Sequence, residues 1–234
     1  MTQPTHEGWS DVADALFDAA VRLAGRDDLT ARLCFAALAE ELAGEADRFI
    51  VVGGTAVDAY VGGAFGSSEG YPAGWAESLD VDTVVVSPLV SGRSQLQETL
   101  QAAGFQVSST GASFALEAIP YALDIVSRRL PDDYSEDHIV EVSLDVEELA
   151  DGRDGVQDPL ITLVGPEDLL FDYLESAVST HHQRDWARAL AIAEVLGDDL
   201  DLSYLYSKAN DRRSGEFLAK LDRLLAGEPL PSKE

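Results

Sequence analysis

The chain has 234 residues, 46% of them hydrophobic, which is enough to bury a substantial core and too apolar for an intrinsically disordered chain. No apolar run approaches the roughly 18 residues of a membrane helix, the opening MTQPTHEGW lacks a basic stretch before an apolar one, and Cys34 is the single cysteine, so the composition predicts a soluble, cytoplasmic protein without disulfides. Forty-three acidic residues against 16 basic ones give a net charge of −27, with Lys208, Lys220 and Lys233 as the only lysines; this points to a halophilic source, and at 1 M salt a screening length of about 3 Å keeps such charge from excluding a phosphate-bearing partner.

Two helices are predicted first. Ser10 is placed to cap a run in which Val12, Leu16, Ala19, Ala20 and Leu23 recur at helical spacing up to Gly25. A second run starts at Asp28 or Thr30 and carries Leu33, Phe35, Leu38 and Leu42. Cys34 lies inside it and reads as a buried apolar residue rather than a nucleophile.

Phe49 to Val52 is a short continuous apolar run, the pattern of a strand covered on both faces. Gly53 and Gly54 end it, a helix is predicted from Thr55 to Val61, and the stretch from Gly62 to Ser78 has the composition of a long loop. Asp80 to Val86 returns to strand, followed by a helix over Ser91 to Ala103 and candidate strands at Phe105 to Ser108, Phe114 to Ile119 and Tyr121 to Arg129. Val140 to Val146 alternates as a strand, and Leu160 to Val164 reads as an edge strand. From Pro166 onward the pattern is helical, with breaks near Thr180, Gly197 and Asn210. Together these define an α/β domain over residues 1–164, a helical subdomain over 165–227 and a tail over 228–234.

The candidate chemistry begins at Gly53, Gly54 and Thr55. Two glycines between strand and helix allow close backbone approach to a ligand, the helix start offers free N–H groups to a phosphate, and the Thr55 hydroxyl adds a donor. Asp80 and Asp82 are two apart at the start of a strand and therefore share a face, which suits a divalent cation bound with substrate phosphates. Asp124 interrupts an otherwise apolar strand (Ala122, Leu123, Ile125, Val126), where an unpaired carboxylate is costly. Alternation sets Arg128 on the face of Asp124, within reach of a phosphate. The adjacent His181 and His182 diverge by about 100° on a helix and read as a polar break. Trp186 reads as core, and Asp185 as a cap or an ion-pair partner of Arg188.

GGT after a strand, DVD on the next strand and one Asp in a later strand (LDIV) together resemble the DNA polymerase beta-like nucleotidyltransferase superfamily, and most of all its minimal branch of abortive-infection and toxin–antitoxin nucleotidyltransferases. GPEDLLFDYLESA and QRDWARALAI are similar to the helical segment that follows the catalytic sheet in such proteins. The resemblance implies a mixed sheet flanked by helices and a C-terminal helical subdomain. It implies an enzyme that transfers a nucleoside monophosphate from an NTP to an RNA, protein or small-molecule acceptor, with Mg²⁺ or Mn²⁺ as cofactor and a cognate antitoxin-like protein as partner. Under it Gly53, Gly54, Thr55, Ser78 and Arg128 hold the nucleotide. Asp80 and Asp82 bind two metal ions, and Asp124 binds the ion that activates the acceptor hydroxyl or serves as its base. The chain departs from the R-x-T-x-D-x-D pattern of such proteins: Ala76 replaces the Arg, Ser78 replaces the Thr, and no basic residue stands between Arg48 and Arg93. That departure is what keeps a second reading, a catalytically weak module that binds a nucleotide or a protein, beside the first.

Overall fold

The computed structural model describes residues 8–44, 47–65, 80–86, 93–144, 158–211 and 215–229. Its chain divides into two compact units, one comprising Met1–Thr55, Gly74–Pro131 and Val140–Leu163, the other Ala56–Ala73, Asp132–Ile139 and Val164–Glu234.

The first unit is built on a mixed sheet. Helix α1 (Asp11–Leu23) starts as predicted, with the Ser10 hydroxyl accepting from the Ala13 N–H at 3.0 Å and Asp11 and Asp14 at the positive helix end. Helix α2 (Asp28–Ala43) is capped by Asp27, which accepts from both the backbone and the hydroxyl of Thr30. Every residue from Ala31 to Ala39 is buried. The reason is position: α2 packs on α1, on α4 (Arg93–Ala102) and on strands β1 (Arg48–Val51) and β7 (Leu160–Leu163), so it has no solvent face along that length. Cys34 is fully buried within it, and burial pushes its thiol up to about 12, which leaves it inert.

The remaining strands are β2 (Asp80–Val86), β3 (Gln106–Val107), β4 (Ser113–Ala115), β5 (Ala122–Ser127) and β6 (Val140–Ser143), in the spatial order β3-β4-β5-β2-β1-β7-β6. β1 runs antiparallel to β2 and parallel to β7, while β2 and β5 are parallel. The expected edge strand at Leu160 is therefore interior: β6 pairs on its outer side and is itself the edge. Burial explains the exchange, since Ile161 and Leu163 are buried whereas β6 is largely exposed.

Glu40, near the end of α2, accepts from the Phe49 N–H at 3.1 Å. Desolvation raises its carboxyl from an ordinary 4.5 to about 7, opposed by that hydrogen bond and by Arg48. Between those values the folded chain holds a proton that the unfolded chain releases, so stability present below pH 4.5 is lost as pH rises through 7. Glu40→Gln keeps the acceptor and removes the titration. Urea melts should show the variant about 1–3 kcal/mol more stable than the parent at pH 8 and equal to it at pH 4.

The second unit holds α5 (Pro166–Thr180), α6 (Gln183–Leu196), α7 (Leu202–Asp211) and α8 (Gly215–Leu225), and the breaks between them fall close to the predicted ones. His181 ends α5 in the left-handed conformation (φ 56°), consistent with a polar break. Trp186 is buried, with its indole N–H donated to the Glu228 carbonyl. Asp185 accepts from Ser176 at 2.6 Å and lies 3.2 Å from His182. Glu167 and Asp168, which suit a helix start by charge, are 4% and 1% exposed and anchor neighbouring segments instead. Among the described residues no helix is long and apolar enough to cross a membrane.

Candidate functional site

Strand β1 delivers the chain to Gly53 at the end of the sheet where β2 begins. The Val52 N–H donates to the Asp82 carbonyl at 2.9 Å, which continues the β1–β2 ladder to the edge of the turn. Helix α3 (Gly53–Phe65) starts at the first glycine rather than at Thr55, so both glycines belong to its first turn, and it extends beyond the predicted end into the stretch read as loop. Gly53 has φ +64°, and a Cβ built on it would lie 2.5 Å from Oδ2 of Asp82. Only glycine combines that conformation with that approach. Gly53→Ala is accordingly expected to displace Asp82 and to weaken Mn²⁺ binding about tenfold or more, read by calorimetric titration.

The three carboxylates come together through register. Asp82 is directly opposite Asp124 on the parallel neighbour, and Asp80 is opposite Ala122. Paired residues on adjacent strands share a face, so Asp80, Asp82 and Asp124 all project from one side of the sheet. On the other side Val81, Thr83, Leu123 and Ile125 are buried. Oδ1 of Asp124 is buried and has no hydrogen-bond partner among the described residues. Asp80, mostly exposed, has its carboxyl raised by desolvation and then by the charge of Asp124.

A hard divalent cation suits this donor set. All the donors are oxygen, one buried acceptor atom is unused, and the repulsion between Asp80 and Asp124 is what a positive ion relieves. Among the described residues no three His, Cys, Asp or Glu side chains close around a common point, so the carboxylates share a face without enclosing an ion.

The other predicted residues differ in placement. Thr55 is fully buried, and its hydroxyl accepts from Arg32 at 3.0 Å and donates to the Asp80 carbonyl at 3.4 Å, so it links the site's backbone rather than facing solvent. Ser78 lies outside the described residues. β5 ends at Ser127 and its pairing with β2 shifts register after Ile125, so alternation does not carry through to Arg128. Arg128 is four positions past Asp124, about 13 Å in extended chain, toward the sheet end opposite Gly53. The basic residue that does reach the turn is Arg32 of α2, which sequence reading passed over. Its signal was a lone charge among Ala31, Leu33 and Cys34 in a run with no polar face.

No protein-family model matches this chain, and no curated protein does. Among solved structures, the solution structure of the antibiotic-resistance factor ANT(2'')-Ia is similar over 90% of this chain and 95% of its own, at 14% identity and a TM-score of 0.41. A likeness that distant assigns neither family nor activity.

Proposed function

We propose that the protein is a metal-dependent nucleotidyltransferase, moving a nucleoside monophosphate from an NTP to an acceptor hydroxyl. The observation that carries this reading is the register of Asp82 against Asp124, with Asp80 on the same face and Gly53 against the Asp82 carboxylate. Its order of parts, GGT, DVD and a later Asp, is the one that resembles the polymerase beta-like superfamily.

In this reading the backbone N–H groups at the start of α3 receive phosphate oxygens, aided by the positive end of the helix. Asp80, Asp82 and Asp124 would hold Mg²⁺ or Mn²⁺, whose chemistry is to offset charge on the attacking and leaving oxygens of an in-line displacement. Asp124, with an unused acceptor atom, takes the proton of the acceptor hydroxyl. The freed oxygen bonds to the α-phosphorus, the bond from that phosphorus to the bridging oxygen breaks, and pyrophosphate leaves with the electron pair. The acceptor is an RNA, a protein or a small molecule. The likeness to the abortive-infection and toxin–antitoxin branch adds a toxin-like role with a cognate antitoxin-like partner to the proposal.

Separate incubations with α-labelled and γ-labelled NTPs in high salt with Mg²⁺ or Mn²⁺, over RNA and protein acceptors, test it. Label entering the acceptor from the α-position alone supports transfer. The carboxylates' failure, among the described residues, to close around one point favours the second reading, a nucleotide- or protein-binding module; nucleotide binding without incorporation into any acceptor would establish that reading in place of the first.

A further inference from the structure

Arg32 is 1% exposed, inside the stretch of α2 from Ala31 to Ala39 that is buried on all sides, where a guanidinium is costly to keep and a Met would fill the space. Its hydrogen bonds show where it acts. Nε donates to the Asp28 carbonyl at 3.1 Å, one helical turn earlier, and a terminal nitrogen donates to Thr55 Oγ1 at 3.0 Å. Thr55 Oγ1 in turn donates to the carbonyl of Asp80. The same turn of α2 holds the other carboxylate strand: the Tyr121 hydroxyl, just before β5, donates to Asp28 Oδ1 at 2.5 Å. The Asp28 carboxylate also accepts from the Gly25 N–H at 2.6 Å, and these two hydrogen bonds hold its carboxyl below the usual range. One helical turn is thus tied to the start of α3 through Thr55, to the start of β2 through the Asp80 carbonyl, and to the start of β5 through Tyr121. These are the three elements that carry Gly53, the Asp80–Asp82 pair and Asp124.

We propose that Arg32 is a positioning residue of the carboxylate site, fixing through Thr55 the backbone of Asp80 against the first turn of α3, while Asp28 and Tyr121 brace β5 from the same helical turn. The inference deepens the reading above by naming the part of the fold that sets the spacing of its ligands. Arg32 is buried behind Thr55, and the hydroxyl it holds is its link to the Asp80 backbone. A guanidinium suits this because its fixed fork serves the helix carbonyl and the threonine at once, which a Lys ammonium at that place does with poorer geometry.

The test uses the full chain and compares Arg32→Met, Arg32→Lys and, as an equally buried truncation on α1, Leu16→Ala. Hydrogen exchange of the metal-free proteins is followed under native conditions. Arg32→Met should speed exchange about tenfold or more at residues 53–55 and 80–83 relative to the rest of the first unit. Arg32→Lys should fall between Arg32→Met and the parent, and Leu16→Ala should show no such localisation. Mn²⁺ titration should then show Kd raised about tenfold in Arg32→Met. Uniform loss of protection in Arg32→Met, or the same local pattern in Leu16→Ala, would overturn the positioning role. A parent chain that binds no Mn²⁺, with the localised exchange intact in Arg32→Met, would instead overturn the nucleotidyltransferase reading and leave the role of Arg32 standing.

Discussion

Asp124→Asn is expected to lower label transfer from α-labelled NTP by about a thousandfold, equivalent to about 4 kcal/mol in the barrier. The substitution keeps size and shape and removes one charge, so its effect reports on what the charge does. Asp124 has a buried oxygen without a donor among the described residues, lies opposite Asp82, and adds to desolvation in raising the carboxyl of Asp80. The same substitution therefore carries a second expectation, opposite in sign. With the repulsion gone, the Asp80 carboxyl should fall toward its ordinary value, and thermal stability should equal or exceed that of the parent. Loss of transfer without loss of stability is the paired result sought in activity assays and thermal melts. Full transfer by Asp124→Asn would remove the carboxylate from the chemistry.

In the second unit the largest expected effect is on stability. Asp168 is almost fully buried and accepts from the Ser135 N–H at 3.0 Å, from the Tyr204 hydroxyl at 2.6 Å and from Lys208 Nζ at 2.5 Å. Lys208 is buried too, with the rings of Phe171, Tyr134 and Tyr204 at 5.0, 5.1 and 5.8 Å from its Nζ. Beside them Glu167 accepts from the Asp201 N–H at 2.8 Å and meets His138 at 3.2 Å. Removing Asp168 takes away the carboxylate hydrogen-bonded to the buried ammonium and leaves the charge of Asp172 acting on it, and breaking such a pair costs about 3–5 kcal/mol. Asp168→Ala should therefore unfold at much lower urea than the parent. Asp168→Leu combined with Lys208→Met removes both charges and should recover much of the loss, because a buried pair replaced by apolar side chains is often neutral. Equal instability of the single and double variants would show that the hydrogen bonds, rather than the ion pair, hold the unit.

Glu167 and Asp168 also show where local reading stops. Their place at a helix start was visible from Pro166 and from the favourable charge at that end, and α5 does begin there. That they are buried was not visible, because their partners come from residues 135, 138, 201, 204 and 208, and nothing in a helical pattern indicates which distant segments fold onto it. The same limit applied to β7, whose apolar residues announced a strand without saying that β6 would cover its outer edge.

By itself the sequence determined the elements and the motif. Capping at Ser10, the apolar run before Gly53, the two-residue spacing of Asp80 and Asp82, the isolated charge of Asp124 and the helix breaks near Thr180 and Gly197 are all local, set by periodicities of 2 and 3.6 residues and by the glycines between them. Only the tertiary structure decided which rung of β5 meets Asp82, that Arg128 lies past the strand end, and that Arg32 reaches Thr55 from 23 positions earlier. Register and cross-element hydrogen bonds depend on how separate elements pack, and packing is settled by the burial of the whole core rather than by any one segment.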